Sequence, residues 1–203
     1  MKNWIAKFDG TEYAFLSNFY ECQCEFEGVE YITSEHAYQA AKTLDFEKRA
    51  MIQNCATPGA AKRMGRRVEL REDWEEVKDQ VMLDVLHNKF KNNENMKEKL
   101  LATGDAILIE GNVWHDNYWG ICSCEKCGGI GKNMLGTLLM FVRKVLSFQR
   151  LEWDKEELEI DKAGVEKIQN YRVDSAAHVL GLMHLDISAF KIQAYGEDPY
   201  NGA

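Results

Sequence analysis

Hydrophobic residues recur with two different periods along this chain, and each period predicts a type of element. Residues 22–31 alternate between polar and apolar side chains around Glu27-Gly28, which predicts a β-hairpin. The residues before this segment, up to Tyr20, predict extended backbone. From Asp73 to Asn92 the apolar side chains share one helical face, so we expect the longest helix here. Those side chains are Trp74, Val77, Val81, Val85, Leu86 and Phe90.

Capping residues predict four further helices, the return of the helical period predicts a fifth, and other segments predict short strands or loops. The expected helices run from Thr33 or Ser34 to about Leu44, from Asp45 through Asn54, from Thr57-Pro58 onward, from Asn95 to Gly104, and over residues 133–148. Residues 106–110 predict a short strand, and residues 111–131 predict a loop. We therefore expect an α+β fold, in which a compact and mostly helical domain carries a few short strands.

Charge and composition predict a second region of the chain and argue against membrane insertion and general nucleic-acid binding. Residues 1–150 carry a net charge of −2, whereas residues 151–203 carry −6. We expect a main domain over 1–150 and a small acidic helical appendage over 151–203. No apolar run approaches the roughly 18 residues of a membrane helix, and the start lacks a signal-peptide core, so we expect a cytoplasmic protein without a membrane partner. The chain has no long basic tract, so we do not expect general affinity for a nucleic-acid backbone. A small phosphate-bearing ligand needs only a few cations and is compatible with this composition.

Four polar residues of the predicted helix 34–44 share one face, because their spacing is i, i+3, i+4 and i+7. They are Glu35, Tyr38, Gln39 and Lys42. A carboxylate and an amine on one stripe are able to act on the same bound substrate. The first-turn position of Glu35 also predicts that the helix dipole favours its ionised form. The alternative interpretation is a solvated face whose charges pair weakly.

Three further segments carry candidate binding residues. Ser17, Asn18 and Phe19 lie in an aromatic-rich stretch that would stack a base and read its edge, unless it belongs to the core. Residues 111–120 combine two tryptophans, an acid and flanking glycines, which suits a loop that lines a pocket. Residues 131–136 place glycines at a helix start, where backbone N–H groups hold phosphate, although the full P-loop or dinucleotide spacing is absent.

Five segments, taken in order, resemble the NADAR (YbiA-like) family from about residue 8 to residue 148. They are FLSNF at 15–19, SEHAYQAAK at 34–42, AKRMGR at 61–66, DNYWG at 116–120, and GKNMLGTLLM at 131–140 followed by Arg143. The order and spacing of five segments are far more specific than any one of them.

The resemblance implies a compact α+β fold and hydrolysis of N-glycosidic bonds, for which we expect no cofactor. It implies two substrate classes, of which we favour ADP-ribose attached to guanine in nucleic acid, at short or single-stranded sites. The alternative enzyme acts on ribosylamino-pyrimidine phosphates of riboflavin biosynthesis. A third possibility is that the domain is not an enzyme and only binds ADP-ribose or NAD-like ligands. The presence of both Glu35 and Lys42 favours catalysis over binding alone.

Carried over by position from the family, Glu35 and Lys42 are the catalytic pair. The resemblance implies that the Lys42 amine attacks the anomeric carbon of an opened ribose to give a Schiff base, while Glu35 moves protons. Without a Schiff base, Glu35 would activate water directly. Asp116 is a second acid or an acceptor for a ribose hydroxyl. The other expected substrate contacts are Ser17, Asn18, Phe19, Tyr38, Gln39, Trp114 and Trp119, then Arg66 and the turn Gly131–Asn133 for phosphate, and Arg143.

A cluster of cysteines extends the loop after Gly120 beyond the pattern of the shorter family members. Cys122, Cys124 and Cys127 would bind zinc if Cys22, Cys24 or His115 supplied a fourth ligand. The spacing lacks a second C-x-x-C pair, so we expect reduced loop thiols and assign no metal. We expect His36 and His115 to have hydrogen-bonded structural roles.

Overall fold

The structure is a computed structural model that describes residues 4–153, and the side chains of residues 4–148. Within this part, strands β1–β6 span Trp4–Ala6, Glu21–Phe26, Val29–Thr33, Ile107–Ile109, Gly111–Asn112 and Ile121–Cys122. Helices α1–α6 span Ser34–Ala40, Phe46–Gln53, Pro58–Gly65, Trp74–Lys91, Glu94–Ala102 and Met134–Trp153. The predicted α+β fold, with helices dominant and strands short, is confirmed.

The strands form three two-stranded sheets. Strands β2 and β3 make an antiparallel hairpin. Its turn residues Glu27 and Gly28 have φ values of 50° and 77°, the left-handed conformations that a two-residue type I′ turn requires. The predicted hairpin is therefore confirmed. Strand β1 pairs in parallel with β4, which ties the start of the chain to the strand that leads into Glu110.

Three predicted helix starts are confirmed by their capping hydrogen bonds. The side chain of Thr33 accepts from the amide of His36 at the start of α1. Asp45 accepts from two backbone amides at the start of α2, and Thr57 accepts from the amide of Ala60 at the start of α3. Each side chain satisfies donors that have no partner within the helix. The cap at Thr33 places Glu35 in the first turn of α1.

Helix α1 ends at Ala40, four residues before the predicted end. The amides of Lys42 and Thr43 bond to the carbonyls three residues earlier, 3.4 Å away in each case, so the helix closes in tighter turns. The carbonyl of Lys42 accepts instead from the amide of Arg71, at 2.8 Å. Lys42 therefore lies just beyond the helix that carries Glu35, and not on its regular stripe.

Other boundaries also differ from the prediction. Helix α6, with 20 residues, is longer than α4, with 18. Helix α5 begins after Asn93, whose side chain binds the carbonyls of Gln23 and Lys89. A single 3-10 turn at Ala14–Leu16 replaces extended backbone, and the predicted loop 111–131 contains β5 and β6. The appendage predicted for 151–203 lies outside the described residues from 154 onward.

The core forms where helix α4 packs against α6, α1 and β2. The predicted apolar face of α4 is buried except for Val77, which is half-buried. Lys89 on α4 is also fully buried, and its Nζ donates to the carbonyl of Ser17 at 2.8 Å. Burial lowers the pKa of Lys89 to about 8. No helix between residues 4 and 153 combines the length and apolarity needed to cross a bilayer.

Candidate active site

A cavity of about 350 Å³ opens beside the first turn of α1 and the loop that follows β4. Many of the residues predicted from the sequence line it: Ser17, Asn18, Phe19, Glu35, Tyr38, Gln39, Lys42, Trp114, Asp116 and Trp119. The wall is completed by residues that were not predicted to contact substrate: Asp9, Lys62, Trp74, Glu75, Lys78, Met82, Glu110, Tyr118 and Leu135. The structure thus brings three separate predicted segments to one cavity.

Glu35 is 5% exposed, which rules out the interpretation of its helix face as a solvated surface. Its backbone amide donates to the carbonyl of Asn18 at 3.0 Å, and its Oε1 accepts from Nε2 of Gln39 at 2.7 Å. Burial raises the pKa of Glu35, against the smaller opposing effects of Lys62, Gln39 and Lys42. Burial thus opposes the preference for the ionised form that the first-turn position of Glu35 predicts.

The amine of Lys42 shows the opposite shift. Burial lowers the pKa of Lys42, and the positive charges of Lys62 and Arg66 lower it further, while Glu35 raises it. Its Nζ lies 5.6 Å from the ring centroid of Tyr38 and 5.9 Å from that of Trp74. A lower pKa increases the fraction of neutral amine at physiological pH, and the neutral amine is the nucleophilic form.

Glu110 is a third ionisable group of the cavity with a displaced pKa. It follows β4 directly, and its backbone amide donates to Oδ1 of Asn133. Burial raises the pKa of Glu110 to about 8, and the negative charges of Asp9 and Asp116 contribute to the same direction. A carboxylic acid that keeps its proton near neutral pH is suited to donate that proton to a leaving group.

The loop between β5 and β6 is shaped by Asn112, which is buried. Its Oδ1 accepts from the amides of Trp114 and Asp116, and its Nδ2 donates to the carbonyl of Asp116. Oδ1 of Asp116 in turn accepts from the amides of Tyr118 and Trp119. The carboxylate of Asp116 is thereby held at the cavity wall, and the indole of Trp114 is left 55% exposed at the rim.

Aromatic rings form one wall of the cavity. Tyr38 packs edge-on against Trp119 at a centroid distance of 5.4 Å and lies 5.2 Å from the ring of Trp74. Tyr118 packs edge-on against Trp119 and donates its hydroxyl hydrogen bond to Asp79. Edge-to-face packing fixes the orientation of the rings. The wall therefore offers a preformed surface for a planar base.

With this geometry established, comparison with known proteins identifies the family. The model of the NADAR domain matches residues 6–147. The chain belongs to the NADAR domain family. It is 39% identical to N-glycosidase YbiA of Escherichia coli (strain K12) over 154 residues, which cover 74% of this chain and 93% of that protein. The predicted family membership is thus confirmed.

A solved structure and a second relative complete the comparison. The NMR structure of the E. coli protein YbiA matches with a TM-score of 0.66 and 38% identity, over 75% of this chain and 90% of that one. The Riboflavin biosynthesis protein VVA0006 of Vibrio vulnificus is 35% identical over 136 residues, which cover 66% of this chain and 36% of that protein. The fold of the described residues is therefore that of YbiA.

Four residues expected to contact substrate in this NADAR domain are not among those lining the cavity: Arg66, Gly131, Asn133 and Arg143. Arg143 donates to Oγ1 of Thr103 and to the carbonyl of Ala106. The side chain of Asn133 joins β4 to α6 through the carbonyl of Leu108 and the amide of Glu110. A Cβ on Gly131 would lie 2.0 Å from the carbonyl oxygen of Gly120, so glycine permits this close approach. These contacts give all but Arg66 a role in packing.

Arg66 lies at the C-terminal end of α3 and is exposed. Its positive charge contributes to the lowered pKa of Lys42. The phosphate contact expected of Arg66 stays a prediction.

Asn18 lines the cavity, but its side chain also makes contacts within the protein. Its Oδ1 accepts from the hydroxyl of Ser34, and its Nδ2 contacts the sulfur of Met82 at 3.4 Å. One donor and one acceptor site of the amide are thus used within the protein, and its contact with a base stays a prediction.

Of the cavity-lining residues that were not predicted, some lie in segments that the sequence pattern marks, and others do not. Lys62 lies inside the matched AKRMGR segment, and Tyr118 lies inside DNYWG, so their segments pointed to the site. Trp74 and Met82 sit on the buried face of α4, where the sequence favours core packing. Asp9 and Glu110 are isolated acids next to short strands. Only the pairing of β1 with β4 brings them into one cavity.

Proposed function

We propose that this protein is an N-glycosidase that cleaves the bond between C1′ of a ribose and a base nitrogen. The observation that carries the proposal is the pairing of Glu35 and Lys42 in one cavity, with the pKa of the acid raised and that of the amine lowered. Groups with pKa values shifted toward neutrality by burial are typical of catalytic sites. The names of relatives, N-glycosidase YbiA above all, support the same reaction class.

The proposed reaction proceeds through Lys42. The ribose first opens, as the C1′–O4′ bond breaks, O4′ takes a proton from a cavity acid, and C1′ becomes doubly bonded to the base nitrogen. The neutral amine of Lys42 then adds to C1′ of this iminium and gives up a proton, and the bond from C1′ to the base nitrogen breaks as the imine with Lys42 forms. The base leaves with a proton from Glu35 or Glu110, both of which burial favours in the protonated form. Water then adds to the resulting imine with proton transfer to the conjugate carboxylate, and the sugar leaves as the amine is restored.

The favoured substrate is ADP-ribose attached to guanine in a short or single-stranded nucleic acid. Two exposed aromatic side chains at the cavity rim support this choice, since Phe19 is 41% exposed and Trp114 is 55% exposed. Lys62 stands 5.5 Å from the ring centroid of Phe19 and offers a cation beside it. Exposed rings next to a cation suit the adenine and phosphates of a substrate that extends beyond the cavity.

A ribosylamino-pyrimidine phosphate is the second candidate substrate, and a different observation favours it. The volume of about 350 Å³ is near the lower end of ligand pockets, and it suits a compact phosphoribosyl heterocycle. The Vibrio vulnificus relative is named a riboflavin biosynthesis protein. On this alternative the same Glu35 and Lys42 act on the bond to the exocyclic nitrogen of the pyrimidine.

The two substrates are distinguished by offering them in parallel to the full-length protein and following release of base and sugar by mass spectrometry. We expect hydrolysis of an ADP-ribosylated guanine oligonucleotide to have the higher kcat/KM. Replacing Trp114 by Ala should cost about 1–3 kcal/mol on the extended substrate and little on the compact one. Preferential cleavage of the pyrimidine riboside would favour the second candidate. Binding of ADP-ribose without turnover of either would identify a binding module.

A further inference from the structure

Four potential metal ligands converge in the loop that follows β5. His115, Cys122, Cys124 and Cys127 each offer one donor atom, and these atoms all lie within 4.8 Å of one another. Nδ1 of His115 is 3.2 Å from Sγ of Cys127 and 3.3 Å from Sγ of Cys124. Seven to twelve residues separate the histidine from these cysteines, so the folding of the loop brings them together.

The spacing of the donor atoms suits a tetrahedral ion. Zinc holds thiolate sulfur at about 2.3 Å and imidazole nitrogen at about 2.0 Å, which sets ligand atoms roughly 3.5–3.8 Å apart. The observed separations of 3.2 Å and 3.3 Å, with none above 4.8 Å, bracket this range. The four donor atoms thus already lie close to the separations of a tetrahedral zinc site.

The surrounding backbone supports thiolate ligands. The amide of His115 donates to Sγ of Cys122, and the amide of Cys127 donates to Sγ of Cys124, each at 3.4 Å. Nδ2 of Asn117 also donates to Sγ of Cys127 at 3.4 Å. Such donors stabilise the negative charge of a ligating thiolate and orient the sulfur. Each of the three cysteines thus has an N–H group directed at its sulfur.

Left-handed turns close the loop around the same point. Gly128 and Gly129 follow Cys127 with φ values of 63° and 76°, and their amides bond to the carbonyls of Cys124 and Cys122. His115 also has a positive φ, 69°, which is uncommon for a residue with a side chain. This conformation directs the imidazole toward the sulfurs, and the loop maintains it at an energetic cost.

From this convergence we propose that His115, Cys122, Cys124 and Cys127 bind one structural Zn²⁺ ion. Three thiolates and one imidazole fill the four positions that zinc prefers and leave none open for a substrate, so the ion has a structural role. The fourth ligand is His115, while Cys24 is buried elsewhere against the carbonyl of Val85. The expectation of ordinary reduced thiols is revised, because the fourth ligand comes from outside the C-x-C-x-x-C segment.

The position of His115 gives the ion a connection to the cavity. The neighbours of His115 in sequence are Trp114 and Asp116, and both line the cavity. The hydrogen bonds of Asn112 hold the other side of the same loop. A metal bond to His115 would restrict this segment further, so the ion acts as a brace for one wall. Zinc binding itself is independent of the reaction that the cavity carries out.

The test uses the full-length protein purified without added metal. We expect about one zinc ion per chain by elemental analysis, as a closed four-ligand site predicts. After removal of the metal, titration with Co²⁺ should give the visible absorption of a tetrahedral thiolate complex, saturating at one ion per chain. Chelation should lower the melting temperature and expose three additional reactive thiols.

Matched variants separate this site from general thiol chemistry. Cys124→Ser should lose zinc and should no longer respond to chelator, whereas Cys55→Ser, outside the cluster, should retain both properties. His115→Ala should weaken Co²⁺ binding at least tenfold, by analogy with losses seen around metal sites. If Cys124→Ser does not fold, the Co²⁺ titration of the wild type decides. Absence of zinc together with no Co²⁺ complex would overturn the proposal, as would bound iron in place of zinc.

Discussion

Nε2 of Gln39 donates a 2.7 Å hydrogen bond to Oε1 of Glu35, one turn earlier on helix α1. The other end of the amide, Oε1 of Gln39, is buried without a hydrogen-bond partner among the described residues. The hydrogen bond to the carboxylate is therefore the contact that orients this side chain. It lowers the pKa of Glu35 against the larger effect of burial, and it holds the carboxylate toward the cavity.

Glu35→Gln is expected to preserve the fold and remove most of the turnover. The substitution keeps the size of the side chain but removes the group that accepts and donates a proton. General acid–base groups contribute about 10²–10⁴-fold to rate, so kcat should fall by that factor while the affinity for ADP-ribose is retained. Single-turnover kinetics and calorimetric binding measure the two effects. A kcat within about threefold of the wild type would exclude this role for Glu35.

Gly65→Ala is expected to disturb the site from a distance. A Cβ at this position would lie 2.1 Å from Oε1 and 2.9 Å from Cβ of Gln39, so α1 and α3 must separate or Gln39 must turn. Overpacking of this kind costs about 1–3 kcal/mol of unfolding free energy. We also expect a lower kcat, because Gln39 would release Glu35.

Gly59→Ala is the matched control on the same helix. A Cβ there would meet only Nη1 of Arg63, at 3.6 Å, which is ordinary contact. The substitution should leave kcat unchanged and should leave stability equal or raised by about 0.4–1 kcal/mol. Equal stability and equal kcat in both glycine variants would show that the close approach to Gln39 does not matter.

Glu110 makes the stability of the protein depend on pH. The pKa of Glu110 is raised to about 8 in the fold, mainly by burial, whereas an unfolded glutamate has a pKa of about 4.3. Between these values the folded state binds the extra proton, so stability decreases as pH rises through this range. Glu110→Gln removes this loss. Its melting temperature should therefore fall less between pH 5 and pH 9 than that of the wild type.

The exposed residue Glu30, outside the cavity, provides the control for this effect. Glu30→Gln should retain the pH dependence of the wild type. Thermal melts in a buffer series at constant ionic strength give the comparison. Parallel pH profiles for Glu110→Gln and the wild type would mean that Glu110 is ionised throughout the range.

Local sequence predicted the elements and caps well, because the information lies within a few residues. Thr33, Asp45 and Thr57 each cap the helix that the sequence assigns to them. The early end of α1 was not predictable in this way. It depends on the amide of Arg71, 29 positions further along the chain, which takes the carbonyl of Lys42.

The candidate site likewise combines residues that the local sequence predicts with properties that depend on the whole fold. Glu35 and Lys42 are recognisable from one helical segment and from the family pattern, but the sign of the shift at Glu35 is not. That sign follows from burial, which depends on Lys62, Tyr38 and the other walls that enclose the carboxylate. Glu110 shows no pattern in the sequence at all. Its role requires β4 to place it beside Asp9 and Asp116.

The last prediction is that Lys42 acts as a nucleophile and not as a cation for phosphate. Burial lowers the pKa of Lys42, which would weaken a phosphate contact but increases the neutral amine. Lys62 also lines the cavity and offers a cation for phosphate, while Lys78 pairs with Glu75. A lysine that only binds phosphate is partly replaceable by arginine, whereas guanidinium stays protonated and forms no imine.

Lys42→Arg should therefore be as inactive as Lys42→Ala while still binding ADP-ribose. Borohydride added during turnover should reduce the imine of the wild-type enzyme and leave the sugar attached to Lys42, which peptide mass spectrometry locates. Lys62→Arg is the matched control, because an exchange of cations at a phosphate contact should retain most of the turnover and all of the trapping. Substantial activity of Lys42→Arg, with no adduct on the wild type, would instead assign the attack to water activated by Glu35. In that case Lys42 would act on the reaction only through its charge, which lowers the pKa of Glu35.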